Sequence, residues 1–272
     1  MIKETVRNGL PLLEFGSLKN IDFIDHCFTT RKGGVSEGYF SSLNLSFTRG
    51  DDEEAVMENY RRVSAAVNVP LHHFVLSDQT HTVNVRKITE EDAGKGITKE
   101  RDYTDVDGMV TNVPGIMLCT FFADCVPLYF VDPVHRAIGL SHSGWRGTVG
   151  RMGLYTIRKM QECYGTDPKD LYAAIGPSIC RDCYEVSGDV AEEFRKEFPD
   201  HKEELILAGR EGHFQLDLWE ANRIVLLEAG VPSERIELAG LCTCCHPDLL
   251  FSHRASKGKR GNLGAFMFIR EI

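Results

Sequence analysis

The longest apolar run of the chain, "IMLCTFFADCVPLYFV", covers residues 116–131. A helix that crosses a membrane needs about 20 consecutive apolar residues. This run is shorter than that, and it carries Asp124 at its middle. It therefore predicts strands buried in a sheet, and we expect no association with a membrane.

Shorter runs of strand-forming residues, each bounded by Gly, Pro, Asp or Asn, predict further strands. With the two halves of the longest run, the predicted strands cover residues 26–31, 73–77, 83–88, 108–111, 116–122, 126–132, 137–142, 170–176, 235–241 and 262–269. Apolar residues at three- and four-residue spacing predict helices. These cover residues 52–68, 148–165, 187–198 and 216–230, and Thr148 is the predicted N-cap of the second.

The order of these elements indicates the fold class. Strands outnumber helices and do not alternate with them, which favours an α+β fold with mixed β-sheets flanked by helices over a doubly wound parallel fold. The sequence contains no repeat, linker or low-complexity tract, although the polar residues 90–108 are predicted to form an exposed loop. We therefore expect one domain over residues 1–272.

Charge and cysteine content narrow the classes of function. The formal net charge of −9 argues against nucleic-acid binding, because phosphate neutralisation needs clustered Lys and Arg. The N-terminal "MIKETVRNGLPLLEFG" lacks the cationic and apolar regions of a signal peptide, which predicts a cytoplasmic protein. Thiols stay reduced there, so some of the 9 cysteines are candidate metal ligands or nucleophiles. A small-molecule substrate is favoured.

Three polar residues lie where predicted strands end: His81, Cys125 and His142. Two imidazoles and one thiolate suit zinc and leave one coordination position open, which is typical of a catalytic zinc. Their wide separation differs from the close pairs of a zinc finger, so the fold must assemble any such site. The alternative is that they are core or surface residues with no ligand.

A second group of candidate ligands lies nearer the C-terminus. Its members are a C-x-x-C pair and the donors of "LCTCCHPD", namely Cys180, Cys183, Cys242, Cys244, Cys245 and His246. Together they could form a closed structural zinc site. A redox pair is a second interpretation, although no thioredoxin-like pattern surrounds it, and buried thiols that fill core space are a third.

Two glycine-rich basic segments are candidate anion sites. In "HSGWRGTVG", residues 142–150, a helix that begins at Thr148 would leave Arg146 beside its N-terminal amides. In "TTRKGGVSEG", Arg31 precedes paired glycines, and a plain hairpin turn is the favoured interpretation. Neither segment matches a P-loop or a dinucleotide fingerprint. No G-x-S-x-G, EF-hand or H-E-x-x-H motif is present.

Taken together and in order, several segments resemble the laccase-domain family, whose members are also described as purine nucleoside phosphorylases, multicopper polyphenol oxidases or peptidoglycan editing factors. The segments are "TTRKGGVSEGYFSSLNLS", "DQTH", "ADCVPL", "HSGWRGT", "IGPSICRDCYEV", "LDLWEAN", "LCT" and "FSHR". They extend from about Phe28 to the C-terminus, and the ordered set is far more specific than any one motif.

The resemblance implies a domain with mixed sheets and one zinc ion. The family's ligands are the His of Q-x-H, the Cys of A-D-C and the His of H-x-G-W, which here are His81, Cys125 and His142. Copper is the expected substitute at the same residues. The thiols around Cys180 and Cys242 then become core or incidental.

The activity that the resemblance implies is cleavage of the N-glycosidic bond of adenosine, inosine and methylthioadenosine by phosphate, with deamination of adenosine. A zinc with an open position suits the deamination. Arg146 and Arg31 are the candidate phosphate-binding residues, and Gln79 of the Q-x-H motif is a candidate substrate-binding residue. Asp124 is a candidate proton donor, and its alternative role is to accept backbone N–H groups in a turn.

The C-terminal region departs from the family pattern. Relatives tend to have two adjacent arginines and then a T-G-R turn, whereas here Ala255 follows Arg254 and the turn is "KRGN". Asn262 stands at the expected arginine. Arg260 is the candidate replacement, and a changed specificity is the alternative.

Three other functions stay open, as does the oligomeric state. Cys125 and His142 could be the nucleophile and base of a metal-free hydrolase acting on amide or ester bonds. The domain could also be a binding module, for example for a cell-wall fragment, with a structural zinc. A copper-dependent phenol oxidase is disfavoured, because none of the 10 histidines forms the H-x-H pairs of multicopper enzymes.

Overall fold

A computed structural model describes residues 2–270 of the chain. In chain order its strands are β1 Lys3–Arg7, β2 Leu10–Glu14, β3 Ile24–Thr29, β4 Phe74–Leu76, β5 Val85–Lys87, β6 Gly108–Thr111, β7 Met117–Phe122, β8 Val126–Asp132, β9 Ala137–Ser143, β10 Tyr172–Ile175, β11 Glu185–Ser187, β12 Ile206–Ala208, β13 His213–Leu216, β14 Ile236–Leu238 and β15 Leu263–Ile269. The helices are α1 Gly16–Lys19, α2 Glu53–Val67, α3 Trp145–Val149, α4 Met152–Tyr164, α5 Gly188–Glu197, α6 Lys202–Leu205, α7 Leu218–Glu228 and α8 His253–Ser256. Each predicted strand overlaps an observed one.

The strands form two six-stranded sheets and one three-stranded sheet. The first large sheet has the order β1-β2-β3-β15-β7-β4 and is antiparallel except between β4 and β7. The second has the order β14-β10-β8-β9-β6-β5, with parallel pairs at both edges. The small sheet, β11-β13-β12, is antiparallel. The predicted α+β class with mixed sheets is confirmed.

The two large sheets pack face to face, and successive side chains of each strand point to opposite faces. In β7, Leu118 and Phe122 pack in the core between the sheets, whereas Met117 and Cys119 pack on the outer side. The apolar run at residues 116–131 is thus two strands, one in each large sheet, and both faces of each strand are covered. Within residues 2–270, no helix is long and apolar enough to cross a membrane.

Helices cover the outer face of each large sheet. On the first sheet, Val56 and Tyr60 of α2 pack with Phe266 of β15. On the second, side chains of α4, α5 and α7, such as Ile157, pack with Phe130 of β8. Asp52 caps α2 by accepting the Ala55 backbone N–H at 2.8 Å. The result is a four-layer arrangement of helix, sheet, sheet and helix.

Two local predictions are wrong. Helix α3 begins at Trp145 with Gly144 as its N-cap, and α4 begins separately after Arg151. Thr148 therefore lies inside a helix, where its hydroxyl donates to the Gly144 carbonyl at 2.9 Å instead of capping. The segment after β3 is not a hairpin either. It continues as irregular chain with a 3₁₀ turn at Gly38–Phe40.

The N-terminal hairpin of β1 and β2 was not predicted. Its two strands pair with Arg7 opposite Leu10, which leaves a two-residue turn of Asn8 and Gly9. Both residues have positive φ, 47° and 78°, as a type I′ turn requires. The Asn-Gly pair between alternating apolar residues was the available signal.

Candidate active site

Two connections between the large sheets meet the end of β9 at one place. His81 lies between β4 of the first sheet and β5 of the second, and Cys125 lies between β7 and β8. His142 is near the end of β9, opposite Pro127 of β8. His81 and Asp124, the neighbour of Cys125, have φ of 68° and 92°. Left-handed backbone at non-glycine residues is uncommon and concentrates at functional sites.

The structure brings His81, Cys125 and His142 together. Their ligand atoms all lie within 4.8 Å of one another, and the two imidazole rings are 4.9 Å apart at 81°. A Cβ at Gly144 would lie only 3.0 Å from the His81 ring and 3.1 Å from Cys125 Sγ. Gly144 therefore leaves the space in which the three side chains converge. His142 is buried, Cys125 half-buried and His81 exposed.

Asp107 orients both histidines. Its buried carboxylate accepts His142 Nδ1 at 2.7 Å, which leaves Nε2 of that ring free to face the site. The same carboxylate accepts the backbone N–H groups of Thr80, His81 and Thr82 at 2.9, 3.1 and 3.0 Å. One side chain thus fixes the turn that carries His81 and the ring of His142.

Electrostatics favour a thiolate at Cys125. Burial raises the pKa of this thiol, but His142 and His81 more than offset that effect and lower it to about 6. Burial also lowers the pKa of His142, but Cys125 and Asp107 offset this effect and raise it to about 9. Cysteine binds a metal as the thiolate, and His142 binds one only when its Nε2 is deprotonated, so a metal ion at this site would displace the His142 proton.

The group lies in the wall of a cavity of about 880 Å³. The cavity is also lined by aromatic side chains, Phe47, Tyr60, Tyr103, Phe121 and Phe122, and by the charged residues Arg49, Asp78, Lys99, Glu100, Arg101 and Arg260. Part of one wall is residues 96–101, from the polar stretch that was predicted to be an exposed loop. That prediction is wrong in part, because Asp92, Tyr103 and Val106 of the stretch are buried.

The other predicted site residues have different surroundings. Gln79 lines the cavity, but its amide bonds the backbone of Phe121, donating to O at 2.8 Å and accepting from N at 2.6 Å. Asp124 accepts the Thr243 hydroxyl and the Arg254 backbone N–H, both at 2.7 Å. These contacts hold the turn in place, and they agree with the alternative that the sequence analysis gave to a role of Asp124 as proton donor.

Two predicted phosphate-binding residues are not among the residues that line the cavity. Arg31 donates to the backbone carbonyls of Ser41 and Pro247 at 2.9 and 2.7 Å. Arg146 is exposed on α3 and stacks 4.3 Å over the Trp145 ring. The structure does not bring either guanidinium to the metal-ligand group.

Of the cations that line the cavity, Arg101 pairs with Asp78 at 2.7 Å, whereas Arg49, Lys99 and Arg260 have no carboxylate partner within residues 2–270. Arg260 is buried, and its Nε makes no hydrogen bond within residues 2–270. Burial and the charge of Arg49 lower the pKa of Arg260 to about 10. Asn262, which stands at the family's expected arginine, accepts a short hydrogen bond from Arg260 Nη1. Asn262, the residue that departs from the family pattern, therefore positions Arg260.

Residues 25–270 match the family model described as multi-copper polyphenol oxidoreductase laccase. The chain belongs to this family. The resemblance inferred from the ordered motifs is confirmed.

Relatives within the family carry names of nucleoside enzymes. Purine nucleoside phosphorylase YlmD of Bacillus subtilis (strain 168) is 39% identical over 248 residues, 90% of this chain and 88% of the relative. Adenosine deaminase RL5 of an unknown prokaryotic organism is 33% identical over 246 residues, 90% of this chain and 93% of the relative. The crystal structure of YlmD from Geobacillus stearothermophilus matches with a TM-score of 0.89 and 37% identity, over 96% of both chains.

Two contributors to the site were missed at the sequence level. Asp107 ends a polar stretch directly before a buried strand, and that position was its available signal. Arg49 lies in an ordinary charged loop and gave no signal. Four members of the second group of candidate ligands also lie together in the structure, namely Cys180, Cys183, Cys242 and Cys245.

Proposed function

We propose that this protein is a zinc-dependent purine nucleoside enzyme. It splits adenosine, inosine and methylthioadenosine with phosphate into the free base and a ribose 1-phosphate, and it deaminates adenosine. The observation that supports this proposal best is the convergence of His81, Cys125 and His142 in a cavity that Arg49 and Arg260 also line. The names of the family relatives supply the substrate class.

The three donors fit zinc. Imidazole nitrogen and thiolate sulfur are common zinc ligands, and three protein ligands with a fourth position open are typical of a catalytic zinc. The space left by Gly144 and the orientation of His142 by Asp107 meet the other requirements of such a site. When bound, the metal supplies Lewis-acid chemistry. Copper is the substitute that these ligands would also accept.

The cavity suits a nucleoside together with phosphate. Its volume of about 880 Å³ lies in the upper part of the usual range for ligand pockets, about 300–1,000 Å³. Phe47 and Phe121, which are half-buried, offer apolar surface for a purine ring. Phosphorolysis needs an anion beside a sugar that develops positive charge, and Arg260 with Arg49 would hold that anion.

The test is a product assay of the purified protein loaded with zinc. With adenosine and phosphate, we expect adenine and ribose 1-phosphate, and inosine from deamination. Adenine release should require phosphate, whereas inosine formation should not. Inosine cleaved further would appear as hypoxanthine, so a chromatogram without adenine, inosine and hypoxanthine would contradict the proposal.

The same residues also resemble a hydrolase triad, which is the second candidate function. Cys125 lies beside His142, and His142 Nδ1 bonds Asp107 at 2.7 Å, in the order of a nucleophile, a base and an orienting carboxylate. His81 as a third donor favours the metal site. If Cys125 of protein as purified is alkylated selectively by iodoacetamide and no zinc is bound at the active site, the hydrolase becomes the better interpretation.

Asp107→Asn tests the orienting carboxylate. We expect zinc affinity at the active site to fall about 10- to 100-fold, because groups that orient a ligating histidine contribute on that scale. The measurement is competition for zinc with a calibrated chelator. Asp102→Asn, an exposed carboxylate on the same polar stretch that bonds Lys95 and not the His81 turn, is the matched control. Equal affinity in wild type and Asp107→Asn would contradict the role given to Asp107.

A further inference from the structure

Four thiols gather at a place separate from the active site. Cys180 and Cys183 follow β10, and Cys242 and Cys245 follow β14. Their sulfur atoms all lie within 4.8 Å of one another. Each pair has C-x-x-C spacing, so the chain supplies two short two-cysteine turns. That spacing is typical of tetrahedral zinc sites in which two such turns face each other.

The sulfur separations suit a shared metal ion. Cys183 Sγ is 3.5 Å and Cys180 Sγ is 4.0 Å from Cys245 Sγ. Four sulfurs placed tetrahedrally at about 2.3 Å from one zinc ion are about 3.8 Å apart. A disulfide would need a pair at about 2.05 Å, and all four cysteines are free thiols in the structure.

Backbone contacts hold the two turns in place. The backbone N–H groups of Cys180 and Cys245 donate to Cys242 Sγ at 3.2 and 3.4 Å. Such N–H donors stabilise a ligating thiolate and orient it. The segments are also joined backbone to backbone, since Thr243 N donates to Ser178 O at 3.1 Å. The arrangement does not depend on a metal to bring the segments together.

Neighbouring donors are kept out of the group. His246 directs Nδ1 to the Cys242 carbonyl at 2.9 Å, and Cys244 is not a member although it lies between two members in sequence. Within residues 2–270, the donor set is therefore the four thiols alone. A closed set of this kind fits a structural ion, and soft thiolate ligands select zinc among the divalent ions held in tetrahedral geometry.

We propose that Cys180, Cys183, Cys242 and Cys245 bind a second zinc ion. The four thiols release their protons to solvent when the ion binds, and no electron is transferred. The guanidinium of Arg254, which donates to the Cys183 and Glu185 carbonyls at 3.1 and 2.9 Å, places a positive charge beside the resulting anionic cluster.

This site stabilises the turn that carries Cys125. Ile179, next to Cys180, donates its N–H to the Asp124 carbonyl at 3.0 Å. Thr243, next to Cys242, donates its hydroxyl to the Asp124 carboxylate at 2.7 Å. Both turns of the thiol site thus contact the residue before Cys125. The second zinc acts as a positioning element for the active site.

Zinc content of a double variant tests the proposal independently of nucleoside activity. His81→Asn/Cys125→Ser removes two active-site ligands, and we expect about one zinc ion per chain to remain in the protein as purified. Adding Cys183→Ser and Cys245→Ser should remove that ion as well. Adding Cys244→Ser instead, a thiol of the same loop outside the group, should leave it bound.

Cobalt substitution covers the case in which the thiol variants do not fold. The His81→Asn/Cys125→Ser protein, with all four thiols intact, is stripped of zinc and titrated with Co²⁺. We expect intense sulfur-to-cobalt charge-transfer bands and the strong visible bands of a tetrahedral four-thiolate ion, both displaced by zinc. A metal-free protein as purified, octahedral cobalt spectra, or zinc retained without Cys183 and Cys245 would each overturn the proposal.

Discussion

The His81→Asn variant should lose both nucleoside reactions by on the order of 10³-fold or more, because loss of the metal removes the main electrostatic contribution to catalysis. His81 is exposed and has φ of 68°. Asparagine tolerates that left-handed backbone better than alanine does. The melting temperature should therefore change by no more than about 2 °C, as for a surface substitution.

Substitution of His142, the buried ligand, should affect stability more than substitution of the exposed His81. His142→Ala should lose the same activity but also destabilise the fold by about 2 kcal/mol, since it leaves a void and removes a buried hydrogen bond. That bond is His142 Nδ1 to Asp107 at 2.7 Å. The measurements are kcat/KM for each reaction, zinc content and calorimetric melting.

His72→Asn is the control, because His72 is exposed just before β4 and is not part of the ligand group. A loss of less than about tenfold in zinc-loaded His81→Asn would rule out a catalytic metal at these residues. A fall in melting temperature comparable to that of His142→Ala would instead indicate that the metal supports the fold.

The positions of ten of the fifteen described strands were predictable because their signal is local, whereas β1, β2 and the three short strands of the small sheet were missed. The run at residues 116–131 is apolar at nearly every position, since one half is β7 and the other β8 and both faces of each strand are buried. Sheet order was not predictable, because it depends on pairing between distant segments. The C-terminal strand β15, for example, lies between β3 and β7, and nothing in its sequence specifies those neighbours.

The ligand set was identified through the family motifs rather than through spacing. His81, Cys125 and His142 converge only because two connections between the large sheets meet the end of β9. Asp107 was missed for the same reason, since its role depends on two segments that its own sequence does not specify. The start of the helix after His142 was misplaced by a local error, because Gly144 and not Thr148 is its N-cap.

The second large expected effect is on the reaction that uses phosphate. Arg260→Met should reduce phosphate-dependent adenine release about 10²- to 10³-fold, which corresponds to about 3–4 kcal/mol of lost electrostatic stabilisation. Methionine keeps part of the aliphatic volume and removes the charge. Although burial and Arg49 lower its pKa to about 10, Arg260 stays protonated at neutral pH. Its Nε has no partner within the described chain, so a bound anion would satisfy a donor that is otherwise buried and unpaired.

The rate of deamination shows whether Arg260 binds only phosphate or also the nucleoside. It consumes water and adenosine and uses no phosphate, so Arg260→Met should change inosine formation less than about fivefold if the arginine acts on phosphate alone. Arg158→Met, an exposed arginine on α4, should leave both reactions unchanged, and Arg146→Met tests the position favoured by the sequence. If Arg146→Met abolishes adenine release and Arg260→Met does not, the anion binds outside the cavity. If Arg260→Met reduces both reactions equally at unchanged melting temperature, Arg260 binds the nucleoside, because only a contact shared by the two reactions lowers both.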